Sequence, residues 1–381
     1  MTAGRLPVAT ETESRSYRSS RARSAAARPG LLAAAFLAAL PALLAAEVAT
    51  RRVLAMGTTL EVTVCLGRRE DALAAAERAV GEVSRLEDAL TTWREGGPLD
   101  RINRSPVGQP VPVDAELFAL LRAVFDWSAR TGGAFDPSVL PLVRAWDLRG
   151  AGRIASEAEL AAAREATGTA RFRLDAAGRA VVRLDGRAGI DEGAWGKGYA
   201  LDRAAESLRG AGVRNALLDL GGEVLALGRS PERTAWAVAI ADPRQRRRPV
   251  LRLALAAGFA VSTSGDSERM RRVGGRAIGH LLDPRTGSPA PDFGTASVVC
   301  PSGLVADVLS TAFFVLGPQG GLELSSRLRR EGVPNEALFL VLRGSRLEAL
   351  SSPGFRNLVL SSDPDRVTGL SVTGSSRRFT R

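Results

Sequence analysis

From Gly57 the chain reads GTTLEVTVCL, where apolar and polar residues alternate with the period of two of a half-buried strand. The pattern then changes. REDALAAAERAVGEVSRLEDAL (Arg69–Leu90) places its apolar residues at helical spacing, and DAELFALLRAVFDWSART (Asp114–Thr131) does the same, with Asp114 as cap and Gly132–Gly133 as stop. A third, looser helix is expected over Ser156–Thr167, and a fourth over KGYALDRAAESLRGAG, ended by Gly210 and Gly212. Strands are expected in AVVRLDGRAGID, NALLDLGGEVLALG, TAWAVAIADP, RRPVLRLALAAGFAVSTSG and GTASVVCP. A helix follows in LVADVLSTAFFVLG, and EALFLVLRG with RLEAL reads as a closing hairpin. Strands and helices mix without a regular βαβ repeat, so the expected class is α+β rather than a dinucleotide-binding parallel sheet. From about Ser361 the chain turns polar and is expected to be a disordered tail over 361–381.

The N-terminus has a different character. Arg- and Ser-rich sequence runs to Arg28, and LLAAAFLAALPALLAA (Leu31–Ala46) follows without a charge. That run is short of the roughly twenty residues a spanning helix wants, so residues 1–46 read as a signal peptide, with an N-terminal membrane anchor kinked at Pro41 as the alternative. Either way the body is expected to be exported. Length and an apolar content of 45% suit a soluble body of one large domain or two ordinary ones, placed at 47–360.

The net charge of +11 raises the question of nucleic acid. Six arginines fall in the first thirty residues and four more in RQRRR (Arg244–Arg248), while the rest is mixed in sign and poor in aromatics for base stacking. No nucleic-acid partner is expected. The two cysteines, Cys65 and Cys300, sit in apolar strand-like runs and read as buried thiols; whether they pair is left open. No Cys/His cluster is present for a structural zinc site.

One lysine stands among 52 basic residues: Lys197, in IDEGAWGKGYALD, flanked by Gly193, Gly196 and Gly198. A Walker A loop is excluded, because Asp191 and not glycine stands five residues before Gly196 and Gly198 follows the lysine. Elsewhere, Asp307 and Thr311 lie four apart on the predicted helix and share one face. Such hard oxygen donors suit Mg²⁺, and their flanks (Val305, Val308, Leu309, Ala312, Phe313) would otherwise leave a buried aspartate unpaired.

The segments AMGTT, AFDP, DEGAWGKGYALD, DLGGE, STSGD, HLLDPRTGSP and ADVLST occur in this order, and together they resemble the FAD:protein FMN transferase (ApbE) family over roughly Val53–Phe355. The resemblance implies an ApbE-like α+β fold with mixed, mainly antiparallel sheets packed with helices in a single large catalytic domain. It implies Mg²⁺ held by the side chains of Asp307 and Thr311 and the carbonyl of Ala194. Lys197 would then stand as a compact charge near the FAD diphosphate, where an arginine is not equivalent. Asp191 resembles the flavin-site carboxylate, and Met56 a residue packed on the isoalloxazine. Trp93 would stack on a flavin or adenine ring. Ala134 and Phe135 would offer backbone contacts and Asp136 a carboxylate to the adenosine. Thr263, Ser264 and Gly265 would face the ribityl and phosphate groups. His280, the only histidine, would bind phosphate or deprotonate an attacking hydroxyl, with Asp283 beside it; Asp283 could equally only shape its turn. Catalytic roles thus fall to His280, Lys197 and Asp307. Two positions depart from the family pattern: Glu192 replaces an apolar residue and Ser267 an aromatic one.

The implied reaction moves FMN from FAD to a Thr or Ser hydroxyl of an acceptor protein and releases AMP. Implied acceptors are flavoprotein subunits of membrane redox complexes or periplasmic flavoproteins, which places the enzyme in the periplasm or on the periplasmic face of the inner membrane. The alternatives are an FAD pyrophosphatase releasing FMN and AMP, and an FAD carrier without turnover. The tail segment DRVTGLSVTG resembles an acceptor motif, with Asp365, Thr368, Gly369 and Ser371 in order, so self-flavinylation at Ser371 is a further expectation.

Overall fold

The computed structural model describes residues 47–266 and 270–370. The first hairpin joins β1 (Glu47–Ala55) to β2 (Thr58–Leu66). Its two-residue turn puts both Met56 (φ 49°) and Gly57 (φ 72°) in the left-handed region, the geometry that matches strand twist in tight hairpins. Helices α1 (Arg69–Leu90), α2 (Pro98–Arg104) and α3 (Ala115–Arg130) follow, with the short β3 (Pro110–Pro112) between the last two. Asp114 caps α3 by accepting the N–H of Leu117. After α4 (Leu140–Ala145), the segment expected to be loosely helical is α5 (Glu157–Ala166), opened by a full capping box between Ser156 and Glu159.

Strands β4 (Phe172–Asp175) and β5 (Ala180–Arg183) lead to helix α6 (Gly196–Gly210). Then come β6 (Asn215–Leu220), β7 (Glu223–Leu227), β8 (Trp236–Asp242), β9 (Gln245–Leu255) and β10 (Ala260–Ser264). The chain closes with β11 (Arg271–Val273), β12 (Arg276–Ile278), β13 (Gly294–Cys300), α7 (Gly303–Arg330), β14 (Glu336–Arg343), β15 (Arg346–Ser351), β16 (Val359–Ser362) and β17 (Val367–Thr368). Helix α7 runs well past the predicted LVADVLSTAFFVLG. It is interrupted at Gly317 (φ 72°), and Pro318, which cannot accept a place inside a helix, starts its second segment.

The main sheet has nine strands in the order β1-β2-β6-β7-β10-β13-β14-β15-β17, antiparallel except for the β15–β17 pair. Helices α1, α6 and α7 cover one face, where Ala72, Ala76, Leu201, Ala306 and Phe313 are fully or almost fully buried. The other face carries the three-stranded sheet β16-β9-β8 and its own apolar layer, with Leu251, Leu253, Val261 and Leu338. The α+β expectation, with mainly antiparallel sheets in a single domain, holds. Cys65 and Cys300 are buried and unpaired.

The fold continues past 360, where a disordered tail was expected. Strand β16 pairs with β9, β17 pairs with β15, and Val367 and Leu370 are buried. The short polar stretch 361–366 hid these strands, because one strand ladder and two buried apolar residues are enough to hold them. Ser371 and the segment 1–46 lie outside the described residues, as does Ser267.

Candidate active site

The site is built where the N-termini of α6 and α7 meet. Asp307, one turn into α7, is buried, and its Oδ2 accepts the backbone N–H of Gly198 in the first turn of α6 at 3.0 Å. That contact needs glycine: a Cβ on Gly198 would lie 2.7 Å from the Asp307 Cβ and inside the carbonyl of Gly303. Lys197 Nζ sits 3.9 Å from Asp307 Oδ2 and makes a close ion pair with Glu223, the first residue of β7. Burial, and then the neighbouring Asp307 carboxylate, push the Glu223 carboxyl up to about 8, against the pull of Lys197.

Thr311 follows on the same face of α7, and Ser264 Oγ at the end of β10 lies 3.3 Å from its hydroxyl and 2.8 Å from that of Ser310. Because strand side chains alternate, Ser262 and Ser264 face α7 while Thr263 faces the opposite side, where it meets Ser297 at 2.8 Å. Gly265 turns the chain tightly against β13, where a Cβ would come 2.8 Å from Thr295 Cγ2. Asp266 follows, almost fully buried. Its Oδ1 accepts the N–H groups of His280 (2.9 Å) and Leu281 (3.2 Å) and lies 3.1 Å from His280 Nδ1. The Nδ1 is out of line for a hydrogen bond, and it and Asp266 Oδ2 have none among the described residues.

Asp191 and Glu192 occupy the turn before α6. Asn103 fixes that turn by pairing with both the carbonyl and the N–H of Ile190, at 2.8 and 2.7 Å. Buried Trp195 holds it from the other side, donating from Nε1 to the Asp191 carbonyl at 2.8 Å. Ala194 lies in the same turn. Arg149 bridges Asp191 Oδ2 and the Thr92 carbonyl, both at 2.6 Å, and stacks 4.7 Å from the centre of the Trp93 ring. Trp93 is 62% exposed. Glu192 crosses the same gap and accepts from Thr92 Oγ1 at 2.5 Å; burial, then the charge of Asp191, push its carboxyl up to about 7. Met56 meets this group from the β1–β2 turn. Its N–H donates to Glu87, and its Cε would touch a Cβ on Gly196.

Thus Met56, Trp93, Asp191 and Ala194 gather at the turn before α6, Lys197, Asp307 and Thr311 at the junction of α6 with α7, and Ser264, Gly265 and, through Asp266, His280 at the end of β10. Four other expected residues are engaged elsewhere. Ala134 and Phe135 are buried, and both N–H groups are directed to Thr131. Asp136 accepts from Ser138 (N–H and Oγ) and Ser128, in a setting where burial raises its carboxyl. Asp283 is held by a two-pronged contact with Arg285, both distances 2.8 Å, which also shapes the turn.

No group of three or more His, Cys, Asp or Glu able to hold a metal occurs among the described residues. The donors at α7 are of another kind: a buried carboxylate, a hydroxyl and a nearby backbone turn. Beside them Glu223 Oε2 is buried with no hydrogen-bond partner among the described residues. A second buried carboxylate with an unanswered oxygen next to Asp307 fits a hard cation that keeps part of its own water.

A model of the ApbE family matches residues 56–334. The chain belongs to the ApbE family. It is similar to a FAD:protein FMN transferase of Salmonella typhimurium, 30% identical over 279 residues that cover 71% of this chain and 78% of that protein. One of Treponema pallidum is 32% identical over 310 residues, covering 76% and 84%. Among solved structures, the ApbE protein of Thermotoga maritima superposes with a TM-score of 0.74 at 28% identity, covering 82% of this chain and 99% of that one. The flavinyl transferase ApbE of Pseudomonas stutzeri, in its apo form, gives 0.72 at 29%, covering 84% and 99%. The fold described above is the ApbE fold, and the family's named enzymes are transferases.

Within this ApbE frame, sequence reading left out Asp266, Glu223, Arg149 and Asn103. Asp266 and Glu223 each close a quoted motif, STSGD and DLGGE, and an acidic residue ending a Gly-rich turn was the available signal. Arg149 and Asn103 act across loops 42 and 87 residues apart in sequence from their partners, and no local pattern announces that.

Proposed function

We propose that this chain is an FAD:protein FMN transferase, which joins FMN to a Thr or Ser hydroxyl of an acceptor protein and releases AMP. The observation that carries the reading is the seat of Asp307. Its buried carboxylate stands at the N-terminus of α6 beside Lys197 and the orphaned oxygen of Glu223, in a chain whose relatives bear that name. Negative diphosphate oxygens favour such a place, because the dipole of a helix N-terminus attracts anions and the Lys197 ammonium adds to it.

Mg²⁺ would be held by Asp307, Thr311 and the Ala194 carbonyl, with Glu223 alongside, and the chemistry it supplies when bound is neutralisation of charge on the phosphoryl oxygens. Met56 and Trp93 offer a soft and an aromatic surface to the flavin rings, next to Asp191. Asp266 Oδ1 stands 3.1 Å from His280 Nδ1, so that once the ring turns into line the carboxylate would hold Nδ1–H and leave Nε2 to accept the proton of the acceptor hydroxyl. As that proton passes to Nε2, the hydroxyl oxygen bonds to the FMN phosphorus and the bond to the AMP oxygen breaks. Lys197 and the α6 N-terminus counter the charge that develops during this exchange.

The apolar run 31–46 supports an exported enzyme that meets periplasmic acceptors or flavoprotein subunits of membrane redox complexes. The experiment separates three activities by product. Full-length protein is incubated with FAD and Mg²⁺, with and without a protein bearing an acceptor segment. Transfer requires AMP that appears only with acceptor; free FMN without acceptor would make the chain a pyrophosphatase, and retained FAD with no AMP in either case a carrier.

A further inference from the structure

Helices α6 and α7 carry the same four-residue device. Gly198 precedes Asp202 in α6 as Gly303 precedes Asp307 in α7, so in each helix an aspartate stands one turn beyond a glycine on the same face. The two devices answer each other. Asp307 of α7 accepts the N–H of Gly198 at 3.0 Å, and Asp202 of α6 accepts the N–H of Gly303 at 2.6 Å. Asp202 also takes the N–H of Leu304 at 3.0 Å and the hydroxyl of Ser302 at 2.8 Å. Ser302 in turn caps α7 from within its own chain segment, accepting from Val305. Between the aspartates the two glycine backbones meet so closely that a Cβ on either would overlap the other's carbonyl.

This reciprocity fixes one register. Sliding or rotating α7 relative to α6 would break the contacts of Asp202 and Asp307 together, and each helix N-terminus would lose its only carboxylate partner from the other helix. One aspartate faces the proposed metal site; the other lies a full turn along α6 and has no place in that site. We infer that Asp202 is a positioning residue, which sets the metal-binding orientation of Asp307 by clamping the start of α7. The inference rests on the metal reading given above.

The test compares full-length wild type, Asp202→Ala, Asp202→Asn, Asp307→Ala and Asp114→Ala. The last removes an ordinary cap from α3, whose Glu116 takes the hydroxyl of Tyr199 in α6, and serves as the measure of a purely structural loss beside the site. Metal binding is read without FAD, by titrating Mn²⁺ and following the free ion by electron paramagnetic resonance. Activity is read as the Mg²⁺ concentration for half-maximal AMP release. Asp202→Ala is expected to weaken Mn²⁺ binding and raise the Mg²⁺ requirement about 10- to 100-fold, the range seen when a group orienting a metal ligand is removed. At saturating Mg²⁺ its KM for FAD stays near the wild-type value, and Asp202→Asn, which keeps one acceptor oxygen, falls between the two. Metal affinity unchanged in Asp202→Ala, with activity falling only as thermal stability falls in Asp114→Ala, would overturn the inference. Asp307→Ala that binds Mn²⁺ as tightly as wild type would remove the metal reading itself, and this inference with it.

Discussion

Asp266 and His280 form a dyad across 14 residues of sequence: one carboxylate oxygen takes the His280 N–H at 2.9 Å and stands 3.1 Å from its ring Nδ1. The aspartate is 1% exposed, so its position is set by the fold and not by solvent. Gly279 makes room for it, since a Cβ there would overlap the carboxylate. The ring stands out of line for a hydrogen bond to it, as catalytic groups often do before substrate closes the site.

If this carboxylate serves the base, Asp266→Asn keeps an acceptor for the backbone N–H but loses the oriented imidazole. Its kcat is expected to fall roughly 100-fold or more, with KM for FAD changed little. The decisive readout is a double-mutant cycle. Asp266→Asn should cost almost nothing further in a His280→Ala background, because residues that act as one unit are not additive.

Lys197 and Glu223 make a second testable pair. Removing the ammonium in Lys197→Met leaves Glu223 buried against Asp307, where the carboxyl takes up a proton but loses its partner, and a loss of about 1–3 kcal/mol in unfolding free energy is expected. Lys197→Met combined with Glu223→Gln should recover most of that loss without recovering activity. Urea unfolding of the two variants measures it.

Glu192 gives the stability a pH signature. Its folded carboxyl titrates near 7 instead of the ordinary 4.5, raised by burial and then by Asp191. The folded chain therefore holds this proton more tightly than the unfolded chain does. Its stabilising share is present in full below about 4.5, declines as pH rises, and is gone above about 7. Glu192→Gln should lack that decline, so that the variant gains on wild type by on the order of 2 kcal/mol between pH 4.5 and 8. Paired unfolding curves at the two pH values test it.

Two glycines of α6 should behave oppositely. Gly198→Ala drives a Cβ into Gly303 and Asp307 and is expected to separate the helices and abolish activity. Gly210, at the far end, has nothing within 4 Å of a new Cβ. Gly210→Ala should be neutral or stabilising by up to about 1 kcal/mol, since alanine is the better helix former. Melting temperatures of the purified variants separate the two.

Much of the fold was legible where local chemistry and tertiary packing agree. Helix α1 spans Arg69–Leu90 as its apolar spacing requires, and Asp114 caps α3 as its residue type predicts. Strand β1 was not legible, because Arg51–Arg52 interrupts its alternation and only Ala49 and Ala55 are buried. The second segment of α7 was hidden behind Gly317–Pro318, which locally reads as an end. Within the site, Asp307, Thr311 and Lys197 could be found because their neighbours are unusual: an apolar helix in one case and a glycine bend in the other. Their partners could not. Whether Ser264 or Thr263 faces α7 depends on strand register, and a shift by one residue would exchange them. That Arg149 reaches Asp191 depends on a loop carrying Asp147 at φ 51°, a conformation that no periodicity encodes.

The proposed FMN transfer, with Asp307 as a metal ligand, is read in the intact mass of the acceptor. Full-length chain, FAD, Mg²⁺ and an acceptor-segment protein are mixed, and the acceptor is weighed with its target hydroxyl present or replaced by alanine. An FMN-sized gain matched by AMP is expected, absent from the alanine acceptor and from Asp307→Ala. An acceptor of unchanged mass alongside FAD that stays intact and bound would contradict it.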